Sequence, residues 1–251
     1  MKRSAVLPSP LFLGLLAVTA AGAALTLLDG GFATTTGTVL FVLGGWAVTL
    51  CLHEFGHAVV AYKGGDFSVR DKGYLTLDIR RYTDPVLSVV LPLVLLAFGG
   101  IPLPGGAVWI NHHALRSKKI ESLVSLAGPI SNLLIGVILA GIVALFSPPA
   151  ALSAAISYLA LLQVFAFVLN ILPIPGLDGW GVLEPFMSYQ AQQFGAKARP
   201  WAPLVLFAVL IGFAQVSALF FQAAASVFEA IGGVPEDAGD GARTFMFWRS
   251  L

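Results

Sequence analysis

Residues 49–65 read TLCLHEFGHAVVAYKGG, which sets two histidines and a glutamate inside an otherwise apolar run. His53 and His57 are four residues apart, so on a helix they share one face. An i, i+4 pair of imidazoles can hold one zinc ion, and Glu54 follows the first directly, where it can serve as general base toward water activated by the metal. This is the H-E-x-x-H arrangement, here HEFGH. The plainer reading is a pair of histidines and a glutamate hydrogen-bonded to neighbouring helices. Membrane depth makes that reading costly, because a charged residue there costs roughly 2.5–3.5 kcal/mol on insertion scales. Metal binding offsets the cost for the histidines.

The rest of the chain places this cluster in lipid. Of 251 residues, 57% are hydrophobic and 11% charged, against roughly 45–50% apolar and about 25% charged in soluble domains. The mean hydropathy is +0.87. These values specify an integral membrane protein. A net charge of +1 argues against a nucleic-acid partner. Cys51 is the single cysteine, which excludes an intrachain disulfide and a cysteine-cluster metal site; it reads as a small packing residue.

Apolar runs long enough to cross a bilayer lie at about 8–28, 38–62, 120–146, 152–172 and 201–222. A further run, PVLSVVLPLVLLAFGGIPLP at 85–104, is broken by Pro92, Gly99, Gly100, Pro102 and Pro104. The first run exceeds the apolar length of a signal peptide and no A-x-A site follows it, so it is expected to be a retained helix. In the charged region 63–84, GYLTLDI alternates as a short strand would. The tail EDAGDGARTFMFWRSL is polar and expected to be mobile. The expected fold is an all-α polytopic membrane protein of about five to six transmembrane helices, with a re-entrant or short β element after the HEFGH helix. Residues 1–37 form its N-terminal helix and loop, 38–190 its catalytic core, and 191–251 its C-terminal helix and tail.

Two histidines do not complete a catalytic zinc site, which usually has three protein ligands. His112 and His113 stand beside a basic patch and read as interfacial residues. Asp178 lies in NILPIPGLDGWGVLEP, directly after an apolar helix and in a Pro/Gly-rich break. Broken backbone at membrane depth is tolerated only where protein or a water-filled cavity covers it, so an ionisable group there is a candidate ligand. A turn aspartate preceding Gly179 is the equal alternative.

Three motifs now make the chain resemble the site-2 proteases, membrane-embedded zinc metalloproteases. HEFGH is similar to the family's H-E-x-x-H. NILPIPGLDG is similar to its N-x-x-P-x-x-x-L-D-G element, and AGPISN at 127–132 to its G-P-x-x-N element at the start of the intervening helix. The resemblance implies that His53, His57 and Asp178 bind one zinc ion, that Glu54 activates water, and that Asn132 and Asn170 lie near the cleft and hold substrate backbone. Gly128 and Pro129 also read simply as close helix packing and helix initiation. Unlike many relatives, the chain leaves no room for an inserted PDZ domain or a CBS pair.

The resemblance implies an intramembrane zinc endopeptidase whose partner is a membrane-protein substrate with a transmembrane helix. The rival reading is a non-catalytic metal-binding membrane protein for transport or partner binding, but no paired discontinuous halves are visible. If His53, His57 and Asp178 hold one ion, an even number of crossings separates them, so 85–104 enters and returns on one side. Positive-inside counting then expects a cytoplasmic N-terminus, an active site toward the cytoplasm of a bacterial plasma membrane, and an external C-terminus, with 201–231 long enough to turn back.

Overall fold

The computed structural model describes residues 8–82 and 108–250. Ser9 begins the first helix by accepting a hydrogen bond from Phe12 N–H, and Pro10 occupies the first turn, where its missing N–H costs nothing. Helix α1 (Pro10–Leu25) then folds back along α2 (Gly31–Gly64). The contact is glycine on glycine: a Cβ at Gly22 would stand 2.8 Å from Gly37 O, and one at Gly37 2.8 Å from Gly22 O. Helix α2 has 34 residues, about 51 Å of helix, and buries most of its second half, including His53, Glu54 and His57.

Past Gly65 the chain makes a helical turn at Ser68–Asp71 and 3-10 turns at Tyr74–Thr76 and Ile79–Arg81. The strand expected over GYLTLDI is therefore absent there. Adjacent Tyr74 and Leu75 are both buried, which defeats alternation, and Leu77 is left-handed with φ of 57°. Arg80 donates to both oxygens of Asp78 at 2.9 and 2.8 Å; this hydrogen-bonded guanidinium holds the carboxyl below its ordinary range. The re-entrant expectation for 85–104 lies outside the described residues. The chain reappears beside α2, where Asn111 N–H donates to Asp66 Oδ2 at 2.8 Å and Arg116 N–H to Gly64 O at 3.1 Å.

Helix α3 (Lys118–Phe146) is capped by Ser117 and contains Pro129. After a short link, α4 (Ala150–Asn170) returns antiparallel to it and parallel to α2. It is the core helix: Ala155, Ala160, Leu162, Val164 and Leu169 have no exposure, and it packs against α2, α3 and two C-terminal helices. The short α5 (Asp178–Leu183) follows, then α6 (Tyr189–Ala198), α7 (Ala202–Gly212), α8 (Ala214–Ala230) and α9 (Pro235–Phe245).

Among the described residues, α2, α3 and α4 are long and apolar enough to cross a membrane, and α6 with α7, bent by 66°, is a fourth candidate. The count of five to six spans is not reproduced. Helix α1 has 16 residues, about 24 Å, short of a roughly 30 Å hydrocarbon core. The run 201–222 is split at Phe213, whose backbone is extended (φ −123°, ψ 99°). The tail expected to be mobile is instead helix α9, packed on α4 through buried Ala238, Gly241 and Phe245.

Candidate metal centre and cleft

His53 and His57 project from the buried face of α2 toward α3 and the loop after α4. His57 Nδ1 lies 2.6 Å from Val124 O and His53 Nδ1 3.0 Å from Asn132 Oδ1. Both acceptors take a proton, so each ring carries its hydrogen on Nδ1 and turns a bare Nε2 inward. The two Nε2 atoms are 3.1 Å apart. With both Nδ1 positions protonated this is no hydrogen bond but two lone pairs converging, an arrangement a cation relieves.

Asp178 completes the convergence. Pro173 and Pro175 stop α4 from continuing, and Gly176 turns the chain at φ +96°. Gly179 then packs against the end of α4 so closely that a Cβ would fall 2.1 Å from Ile171 O. The result places Asp178 Oδ2 3.2 Å from His53 Nε2 and Oδ1 3.4 Å from His57 Nε2. Ligands about 2.05 Å from a tetrahedral zinc stand about 3.3 Å apart, so the three spacings fit that ion. His53, His57 and Asp178 are the group of metal-ligating side chains found among the described residues. Asp178 is the first residue of α5 and faces the two histidines, where its carboxylate could join them in holding an ion.

Helix α3 supplies the roof. Gly128 lies directly over the rings: a Cβ there would stand 2.2 Å from His57 Nε2 and 2.5 Å from His53 Nε2. Pro129 is inside α3, well past its first turn, which corrects its reading as a helix initiator and the placing of AGPISN at the helix start. Proline there removes the N–H that would bind the Ser125 carbonyl, next to the Val124 carbonyl that accepts from His57.

A cavity of about 250 Å³ opens on the cluster. Glu54, buried, stands in its wall and accepts a hydrogen bond from Val108 N–H at 3.2 Å. Asn132 and Asn170 also line it. The Asn132 oxygen is engaged by His53 Nδ1, which orients that ring. His112, expected to be interfacial, lines the cavity and pairs with Glu121 at 2.8 Å. Arg199 and Glu184, paired at 3.1 Å, line it too. Neither pair leaves a periodic signal in sequence, because each joins a loop or turn to a separate helix.

Comparison with known proteins now bears on this geometry. The chain is 43% identical to the "Putative zinc metalloprotease Rip2" of Mycobacterium tuberculosis over 98% of its length and 96% of the relative's. It is 45% identical to the protein of the same name from Mycolicibacterium smegmatis, over 83% and 82%. The chain belongs to the site-2 protease family. A more distant member, the "Putative zinc metalloprotease YwhC" of Bacillus subtilis, is 31% identical over 65% of this chain and 77% of its own length. No family model and no solved structure matches. Family membership and the apolar helices make this a membrane protein. Zinc is the family's metal, and the buried His53–His57–Asp178 group is a site that could bind one such ion.

Proposed function

We propose that the protein is an intramembrane zinc endopeptidase, cleaving membrane-protein substrates within or beside a transmembrane helix. The observation that carries this reading is Glu54: a carboxylate in the same buried cleft as three converging ligand atoms, yet outside their group. A purely structural or transport site has no need of it.

His53, His57 and Asp178 hold the ion. When bound, zinc supplies the Lewis acidity that polarises a peptide carbonyl and acidifies water to near neutral pH. Glu54 takes the proton from the attacking water and passes it to the departing amine. The hydrogen bond from Val108 N–H fixes the direction of its carboxylate. Asn132 holds the His53 ring in register, and Asn170 presents its amide to the substrate backbone from the cleft wall. Helical peptide bonds are shielded, so the substrate unwinds locally before attack, and Gly, Pro or Asn near the scissile bond favours cleavage. The site faces the cytoplasm of a bacterial plasma membrane, because the end of α2 nearest the cluster carries the basic residues from Lys63 to Lys119.

The test compares wild type with Glu54→Gln in proteoliposomes holding transmembrane fragments. Wild type should cleave, stop with phenanthroline and recover with added zinc. Glu54→Gln should retain about one zinc per chain and cleave nothing. Full proteolysis by Glu54→Gln would overturn the mechanism.

A further inference from the structure

Five buried side-chain polar atoms have no hydrogen-bond partner among the described residues: Tyr158 Oη, Trp180 Nε1, the indole Nε1–H of Trp46 and both amide atoms of Gln163. The last three lie on α2 and α4, deeper than the metal cluster. Trp46 is 5% exposed and Gln163 fully buried. Trp46 lies two helical turns before His53 on α2, and Gln163 two turns before Asn170 on α4, so each occupies the site-facing stripe of its helix, about 10 Å deeper. The two helices run parallel, and their register is set where a Cβ on Gly45 would meet Leu159 Cδ2 at 2.5 Å. One turn on from that contact, Thr49 stands level with Gln163. Trp46, Thr49 and Ala166 form the cavity floor at this seam.

An unsatisfied polar group in hydrocarbon costs on the order of several kcal/mol. An indole N–H and a whole carboxamide unpaired in one seam are far more expensive than apolar residues of the same size. Water answers the mismatch. Trp46 Nε1–H donates to it, Gln163 Oε1 accepts from it and Gln163 Nε2 donates to it, about the three bonds usual for a buried water. We propose that the α2–α4 seam binds an internal water that bridges Trp46 Nε1 and the Gln163 amide. The hydrated part of the cleft thereby reaches one to two turns deeper into the membrane than the metal ligands. This inference stands whether or not the protein is a protease.

The experiment uses the full chain in lipid nanodiscs, with Trp46→Phe, Gln163→Met and the double variant followed by thermal unfolding. Each single change should lower the melting temperature, and the double should lose no more than the worse single, because both remove the same bridge. In a dry seam Gln163→Met deletes an unpaired buried amide at nearly constant volume and raises the melting temperature, while Trp46→Phe still costs the cavity it leaves. A rise in Gln163→Met, or fully additive changes in the double variant, overturns the proposal. If Gln163→Met does not fold, the wild type decides by NMR: the Trp46 indole proton, assigned by its loss in Trp46→Phe, should show cross-relaxation to a long-lived water. A silent indole proton overturns the bridge.

Discussion

Gly128 is the residue on which the metal centre leaves least freedom. It touches no ligand by side chain, yet a single added methyl would occupy the space of both Nε2 atoms. Gly128→Ala should therefore lose nearly all bound zinc, read by elemental analysis, while circular dichroism reports intact helices. Asn132→Leu is milder, because it leaves the ring in place but removes its hydrogen-bond partner; zinc affinity by chelator competition should fall about 10–100-fold. The sequence discloses such roles unevenly. His53, Glu54 and His57 are legible because their relation is local, one turn of one helix. Asp178 is ambiguous on its own, since a turn aspartate before glycine and a ligand look alike until α2 and the end of α4 are side by side. The bond from Asn132 to His53 joins two helices and leaves no trace in spacing, so the resemblance implies a place near the cleft and a hold on substrate backbone, and not this contact.

At the level of elements, hydropathy sees composition and misses breaks. The run 201–222 carries no charge and is mostly apolar, yet Phe213 adopts extended backbone and breaks it, ending the 11-residue α7 and starting the 17-residue α8, which runs on to Ala230. The alternation of GYLTLDI is a genuine strand signal that packing overrides, with Tyr74 and Leu75 both turned inward. The tail shows the reverse failure. PEDAGDGARTF looks polar, but Ala238, Gly241, Ala242 and Phe245 recur at helical spacing and form a seam against α4. Gly241 sits where a Cβ would be 2.1 Å from Ala154 O, and Phe245, 1% exposed, packs on Tyr158 with ring centroids 5.6 Å apart. Phe245→Ala should accordingly destabilise the protein by about 3 kcal/mol, and Gly241→Val should do so through a clash with backbone. Unfolding of both variants in nanodiscs checks this; melting temperatures equal to wild type would mean that α9 is a passenger.

For the whole molecule, the decisive constraint is parity. Arg116 N–H reaches Gly64 O at 3.1 Å, so α3 begins at the end of the bundle where α2 stops. Helices α3 and α4, each long and apolar enough to cross a membrane, then run out and back. That brings the end of α4, with Asp178 just beyond it, back to the end of α2 that carries His53 and His57, and the ligands meet. Charge votes separately. Lys63, Arg70, Lys72, Arg80, Arg81, Arg116, Lys118 and Lys119 gather at this end, whereas the links 26–30 and 147–149 at the other end contain neither lysine nor arginine. Under the positive-inside rule this distribution supports the proposed orientation, with the cluster end toward the cytoplasm. Cys51 is the one native cysteine and is buried, so Cys51→Ala gives a clean background for single cysteines at Asp71, Lys119 and Ala150, all exposed. In sealed inverted vesicles an impermeant thiol reagent should label the cysteines at 71 and 119 and spare the one at 150. Labelling of 150 alone would reverse the orientation and leave the parity intact. Labelling that separates 71 from 119 would break the parity, and with it the joint assignment of His53, His57 and Asp178 to one ion.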